Sequence, residues 1–580
     1  MRQARAWFLL PAMLIVCVVV TSGAASHAAN VAYPLRKSAN GRYLVDAQSV
    51  PFMVVGDSPQ ALMVNVSEAE ADTFFADRQA HGFNTVWIDL VCTTYTGGRA
   101  DASTQDGVNP FTALIPSTSS YDLGTPNEPY FAHADRVIQL AANHGLLILL
   151  DPIETGGFLD TLRTNGVSRA RAYGQYLGQR YKNVDNILWS SGNDFLSWRT
   201  ASDDAVVLEV ARGILDYDTR HLHTLELGYP SSSSLDDANW TPIVGLNAAY
   251  TYFPTYALLE QDYARPNYRP NFLAEARYEL EGASASDLRR QEYWAMTSGA
   301  TGQVYGNYYT WQFIAGWQSH VDTPGAIQMA YVVALFAPRA WYALVPDTAH
   351  TVLTGGLGTY SSTGTVSDND YATAARTSDG KLVIVYAPTV RTLTVNLSQL
   401  SAPAVTRWYD PSNGTFVAIP GSPFTNSGIL KVTPPRNNAA GDGDWVLVLE
   451  TPRVCTGMAN GTPCDDGDNC TVNESCSGGA CGGGVALGCG GGNACSVGLC
   501  DPAAGCSPLH ATANLDTSVF SANRVDGRDL AVLADAWGSC PGDARYDPAA
   551  NLDLGSGLPD ACVDLTDFHL FMTVFGDTCP

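Results

Sequence analysis

Between residue 50 and about residue 310, short apolar runs alternate with longer amphipathic stretches. The runs cover residues 52–55, 85–90, 146–150, 186–189, 223–227, 243–246, 271–274 and 302–305. Apolar runs without strict alternation, separated by helical patterns, predict parallel strands covered on both faces. Ser67, with Glu70 three residues on, predicts a capping box opening a helix whose inner stripe carries Phe74 and Phe75. A second helix is predicted over 130–143, with Val137, Ile138 and Ala141 inward and Gly145 as its stop. Eight such β/α units in this length predict a (β/α)₈ TIM barrel. The rival is an open doubly wound sheet, which would want a Gly-rich phosphate turn after the first strand, and none is present. From 350 to 452 the pattern changes to short strands without helices, such as 381–386, 392–395 and 445–449, predicting an antiparallel β-sandwich.

Beyond 452 the composition shifts. Residues 455–506 hold nine of the 14 cysteines among many glycines, a spacing that favours disulfide staples over zinc. The tail, 507–580, repeats itself: Asn514-Leu-Asp516 with Val525 and Asp529 is echoed by Asn551-Leu-Asp553 with Val563 and Asp567. Each copy runs into an apolar helical pattern. Carboxylates in this arrangement offer hard oxygen donors to Ca²⁺, so Asp516, Asp529, Asp553 and Asp567 are the candidate metal ligands; the alternative is a calcium-free pair of helices held by disulfides. At the other end, Arg2 and Arg5, the apolar run from Trp7 to Val20 and the small residues up to Ala29 predict a secretory signal peptide over 1–29, hence an extracellular, disulfide-permitting location, surface-attached if the tail binds a partner. The expected domains are then 30–349 (barrel), 350–452 (sandwich), 453–506 (Cys-rich) and 507–580 (repeat module). A net charge of −25 without a basic run argues against nucleic acid, and no second apolar run is long enough for a membrane span.

A (β/α)₈ barrel carries its site at the C-terminal ends of its strands. The polar residues there are Asp57, Asp151, Asn193 with Asp194, Asn247 and Glu275, with Tyr250, Tyr252, Trp311 and Trp317 on the same side to stack on sugar faces. Two carboxylates across one mouth can cut a glycosidic bond, one as acid and one as nucleophile, and Asp194 and Glu275 form the natural pair. The bland alternative is that strand-end acids cap helices or pair with arginine, as Glu275 could with Arg277. Cys92 has no histidine placed to activate it and reads as a core or loop thiol.

The segments 34–43, VVGDS ending at Ser58, NEPYFAHADRV ending at Val137, YGQYLGQRYKNVDNILWSSGND ending at Asp194 and FLAEARYE ending at Glu279 together resemble the apiosidase-like glycoside hydrolases, a family 140-like group of retaining (β/α)₈ enzymes. RWYDPSNGTF (407–416) resembles the collagen-binding-type β domain that follows them. The resemblance implies Asp194 as acid/base, Glu275 as nucleophile and Asp57 beside the bound sugar, with no cofactor for catalysis. One departure is Gly192-Asn193-Asp194, where relatives often carry Gly-Gly-Asp. The segment 462–476 resembles bacterial Cys-rich repeats, and the tail a dockerin-type calcium module with residues inserted in each loop. The expected function is a secreted retaining glycosidase acting on a plant or bacterial polysaccharide. The alternatives are a non-catalytic carbohydrate- or matrix-binding protein and a lyase on acidic polysaccharide, which the negative charge would repel.

Overall fold

The computed structural model describes residues 31–451 throughout and, beyond them, short stretches that include 496–501, 505–512, 527–540 and 565–572. The expected signal peptide, Asp516 and Asp553 lie outside the described residues.

Eight parallel strands form the first unit: β1 (Val54–Asp57), β2 (Thr85–Asp89), β3 (Leu147–Asp151), β4 (Ile187–Phe195), β5 (His223–Leu227), β6 (Asn247–Thr251), β7 (Asn271–Glu275) and β8 (Gly302–Tyr305). They lie in the order β5-β4-β3-β2-β1-β8-β7-β6, with a short antiparallel strand, Ser231–Ser233, beside β6. The ring closes between β5 and β6 by few bonds. His223 bridges Val244, and the Gly245 N–H donates to the His223 carbonyl at 2.8 Å. Further along, the buried Ser234 hydroxyl donates to the Leu225 carbonyl (2.5 Å) and accepts from the Ala248 N–H (2.8 Å). A serine side chain replaces a stretch of ladder and satisfies backbone groups that burial would otherwise leave unpaired.

Besides the one-turn helices Leu62–Asn65 and Tyr308–Gln312, the helices are α1 (Glu68–Ala80), α2 (Glu128–Asn143), α3 (Thr155–Tyr181, broken by a kink at Gly166), α4 (Ala201–Leu215), α5 (Thr255–Tyr263), α6 (Ala285–Thr297) and α7 (Pro324–Phe336). The capping box opens α1 as expected: Ser67 accepts from the Glu70 N–H at 3.2 Å, and the Glu70 carboxylate accepts from the Ser67 N–H at 2.9 Å. Phe74 and Phe75 are buried on its inner side.

Three expectations are corrected. No helix follows β5; the Ser231–Ser233 strand and a 3₁₀ turn take its place. The sixth strand begins at Asn247, because Ile243 and Val244 donate their N–H groups back to the Trp240 carbonyl and form a turn. The first begins at Val54, because Pro51–Phe52 belongs to a separate three-stranded sheet with Leu44–Val45 and Arg36–Lys37. That small sheet sends Leu35, Leu44 and Phe52 into the barrel interior, where they meet Val54, Trp87, Leu147, Leu149, Leu188, Phe272 and Val304.

The second unit is an antiparallel sandwich, as expected, but it starts earlier, since Leu344–Pro346 is an edge strand of its larger sheet. That six-stranded sheet is apolar on both faces. Ile384, Tyr386, Val446 and Val448 pack on Tyr293 and Trp294 of α6 and Met329 and Phe336 of α7. Val383, Val385, Leu447 and Leu449 pack on Leu393, Val395 and Leu430 of the second, three-stranded sheet. Continuous apolar runs in an antiparallel sheet follow from cover on both sides. Arg289 of α6 is buried in this interface, with Nε on Asp444 Oδ2 (2.8 Å), Nη2 on Asp442 (2.7 Å) and Nη1 on Gln328 (2.8 Å).

In the tail, helices Gly527–Ala536 and Leu565–Met572 bury Val525, Leu533, Val563 and Phe571 together, and Asp529 and Asp567 occupy equivalent buried places in their first turns. Cys476, Cys481 and Cys540 are disulfide-bonded, whereas Cys92 is a buried free thiol whose pKa burial pushes well up, as befits a core residue. Among the described residues no helix is long and apolar enough to cross a membrane.

Replacing Arg289 by Ala leaves Asp444 buried without its partner and should cost about 3–5 kcal/mol of unfolding free energy in urea titrations. Arg289→Lys should recover only part of that loss, since one ammonium cannot reproduce the fork.

Candidate active site

At the end of β4, Ser191 pairs with Leu225 and Phe195 with Leu227, so Gly192, Asn193 and Asp194 together oppose the single residue Glu226 of β5. All three have positive φ, +118°, +57° and +54°. Gly192 is required by contact as well as by conformation, since a Cβ there would stand 2.0 Å from the Glu226 carbonyl oxygen. Asn and Asp tolerate the left-handed region better than other side-chain-bearing residues, which suits the next two positions. The bulge is held from both sides: the buried Thr155 hydroxyl donates to the Gly192 and Asn193 carbonyls, and the Asp194 N–H donates to Glu226 Oε2 at 2.9 Å. Bulges of this kind re-aim a side chain, and here the side chain is Asp194.

A second irregularity presents Glu275. Ala249 of β6 pairs with Leu273, but Tyr250 pairs with Glu275, so β7 gains one residue at its end. Glu275 Oε1 accepts from Tyr252 (3.2 Å) and Oε2 from Tyr278 (3.1 Å). The segment after Glu275 is clamped by Gln291 of α6, whose amide accepts from the Arg277 N–H (3.0 Å) and donates to the Arg277 carbonyl (3.1 Å). Arg277 makes no ion pair with Glu275, so the arginine-paired alternative does not hold. Across the mouth, Tyr95 donates to Asp194 Oδ2 at 2.7 Å. Tyr95 comes from the long insertion after β2, and its ring lies so close over Gly156 that a Cβ there would meet it at 2.2 Å.

The electrostatics are those of too many carboxylates in a dry place. Burial, then the nearby Asp194 charge, pushes Glu275 up to about 8, while Tyr278, Tyr252 and Tyr250 draw it down by hydrogen bonding. Glu226 is raised well above the carboxylate range by burial, then by Glu275 and Asp194. Asp89 and Asp151, in register on β2 and β3, are fully buried and both strongly raised, burial being the first cause in each. Like charges this close cannot all ionise, so the mouth retains protons near neutrality.

The remaining sequence-predicted residues divide. Asp151, Asn193, Tyr250 and Tyr252 sit at the mouth with the pair. Trp311 stands edge-on to Tyr278 and donates its indole N–H to Glu281 at 3.0 Å. Asp57 is fully buried against α1, where Arg78 binds Oδ2 at 3.2 Å; burial still raises it to about 6. Asn247 opens β6 at the opposite end of the strand, bridging the Leu235 N–H and Asp262. Trp317 is buried in a cluster with Phe74 and Phe313. Sequence reasoning missed Glu226, Asp89, Tyr95, Gln60 and Tyr278. For Glu226 a signal existed: a glutamate between two leucines of a buried strand is costly unless it faces a polar cavity. Among the described residues, the acids of the mouth do not converge as metal ligands do; the grouping that does is Asp77, His81 and Asp322 beside α1.

Residues 38–343 match the family model described as "Apiosidase-like, catalytic domain". The chain belongs to the apiosidase-like family. In this apiosidase-like chain the sandwich, over 362–450, matches the model described as "Putative collagen-binding domain of a collagenase". A solved structure described as a glycoside hydrolase superposes with a TM-score of 0.61 at 23% identity, covering 72% of this chain and 97% of its own. A glycoside hydrolase family 5 protein from Bacteroides vulgatus superposes equally, 0.61 at 22% identity, covering 72% and 93%. These likenesses establish a glycosidase-type barrel followed by a sandwich. No curated protein matches the chain.

Gly192→Ala forces a methyl group onto a backbone carbonyl that cannot swing away. It should cost about 2 kcal/mol or more in denaturant unfolding and abolish activity of this apiosidase-like protein, whereas Gly107→Ala, also at positive φ but with open space around it, should leave activity unchanged.

Proposed function

We propose that the protein is a secreted retaining glycoside hydrolase in which Glu275 attacks the anomeric carbon and Asp194 serves as acid, then base. The observation that carries this reading is the pair itself: two carboxylates, each turned into one mouth by its own bulge and close enough for the charge of one to raise the other. The working form of the two carboxyls holds one proton between them. Burial and the neighbouring Asp194 charge raise Glu275 to about 8, so it carries a proton near neutrality. A sugar that brings its glycosidic oxygen to Asp194 and its anomeric carbon to Glu275 draws the proton to Asp194.

In the first step the Glu275 carboxylate forms a bond to the anomeric carbon as the glycosidic C–O bond breaks, and Asp194 gives its proton to the departing oxygen. In the second, Asp194 takes a proton from water, whose oxygen displaces Glu275 with a second inversion. The three tyrosine hydroxyls around Glu275 stabilise it as the carboxylate at the moment of attack. The substrate is a plant or bacterial polysaccharide, and apiosidase-like or related furanosidase action is the first to test. The tail serves attachment and binds Ca²⁺, Asp529 and Asp567 acting with Asp516 and Asp553; EDTA should then lower only the tail's transition in calorimetry of the full chain.

With an activated aryl glycoside, Asp194→Asn should keep most of its glycosylation rate, while on the natural linkage it should lose about 10²–10⁴-fold; Glu275→Gln should be inactive on both. The opposite ranking exchanges the two roles, and an inverted anomer in NMR product analysis overturns retention. Loss of the pair's shared proton should make kcat/KM on the natural linkage fall above about pH 8. That alkaline limb should disappear in Asp194→Asn acting on the activated glycoside, because no acid is then needed and the charge that raises Glu275 is gone.

A further inference from the structure

Behind the two carboxylates runs a chain of hydrogen bonds that the double displacement itself does not use. Asn193 Nδ2 donates to Gln60 Oε1 at 3.1 Å, Gln60 Nε2 donates to the Tyr278 hydroxyl at 3.1 Å, and Tyr278 donates to Glu275 Oε2 at 3.1 Å. All four side chains are buried, Gln60 being 4% exposed and Asn193 3%. The chain starts inside the β4 bulge, one residue before Asp194, and ends on the partner carboxylate of β7. Gln60 joins them from the segment after β1, with its own backbone fixed: its N–H donates to Ser58, and its carbonyl accepts from the Asp89 N–H at 3.0 Å.

The direction of this chain has a chemical consequence. A phenol has one proton to give. With the Gln60 amide N–H aimed at the Tyr278 oxygen, that proton is committed to Glu275. In this arrangement the Gln60 oxygen accepts from Asn193 Nδ2 while its nitrogen faces Tyr278, and the buried Asn193 oxygen has no partner of its own. We propose that Gln60 is a positioning residue that sets the direction of the Tyr278 hydroxyl, and thereby keeps a donor on the nucleophilic carboxylate, with Asn193 hydrogen-bonded to its oxygen end. Glu275 is also faced by Asp89 of β2, Asp194 of β4, Glu226 of β5 and Tyr250 and Tyr252 of β6, so the Tyr278 bond is one of a few forces favouring its ionised form against several acids that oppose it. The residue at 193 therefore has a second duty besides tolerating a left-handed backbone.

This inference rests on the assignment of Glu275 as nucleophile, and the test separates the two. Gln60→Glu keeps the shape but presents only acceptors while ionised, so Tyr278 should turn its proton to residue 60 and leave Glu275. Relative to the unaltered chain, kcat on the aryl glycoside should fall about 10–100-fold with KM within about twofold, and the acid limb of the pH profile should move to higher pH, because the nucleophile is then easier to protonate. Tyr278→Phe should do the same. In the Tyr278→Phe background, Gln60→Glu should have little further effect. Gln60→Met, which carries no charge, is the second variant should Gln60→Glu fold poorly, and should show a smaller loss in the same direction. An unchanged pH profile in Gln60→Glu overturns the proposal, as does an equal fold loss with and without the Tyr278 hydroxyl, which would mean that the introduced charge acts directly. If Glu275→Gln retains activity, the assignment of the nucleophile fails, whatever the Gln60 variants do.

Discussion

The close pass of Gly192 over the Glu226 carbonyl is the contact on which the site depends. Two neighbouring strands approach until nothing larger than hydrogen fits between them. Only then can three residues of β4 be spent opposite one residue of β5, and only then does Asp194 arrive at the mouth with its N–H on the Glu226 carboxylate. Two successive non-glycine residues at positive φ, Asn193 and Asp194, carry a conformational cost that an isolated loop would not bear. Thr155 from the preceding unit, Glu226 from the next strand and Gln60 through Asn193 hold them there. The strain is thus shared among three elements that cannot relax independently.

Glu275 is held by a different route. Its following segment is clamped by Gln291, and the same helix, α6, carries Arg289, Tyr293 and Trp294 into the sandwich. One helix therefore touches the loop after Glu275 and the second domain at once. The sandwich behaves as the outer wall of the barrel at this point, and its larger sheet lies between α6 and α7 on one side and the three-stranded sheet on the other. The two carboxylates are fixed by unrelated devices, a strand–strand close pass and a helix clamp, that Gln60 and Tyr278 link by hydrogen bonds.

Much of this was legible from residue order. Strands such as 147–151 and 271–275 announce themselves as apolar runs ending in an acid, and the barrel rule then places Asp194 and Glu275 at the mouth. The capping box at Ser67 and the repeat of the tail were readable for the same reason: they are local. What escaped depends on register. The run 243–246 is apolar because it packs beside the start of β5, whereas the true strand, with two alanines and an asparagine, has a weak signal of its own. Glu226 was hidden inside a run read whole as strand. Asp57 stands at a strand end but is turned to Arg78, a distinction of one position in a two-residue period that no composition reveals. The bulges at 192–194 and 274–275 are properties of pairs of strands, and a single strand read alone cannot show them.

The doubly covered sheet also constrains how such a molecule can arise. Ile384, Tyr386, Val446 and Val448 have no solvent-facing alternative; separated from α6 and α7 they would form a bare apolar wall, the kind of surface that drives aggregation. A recombination event that moved this sandwich to another enzyme without its barrel would deliver a sticky fragment rather than a portable module. Barrel and sandwich must therefore be inherited as one block, and substitutions on either side of their boundary are selected together.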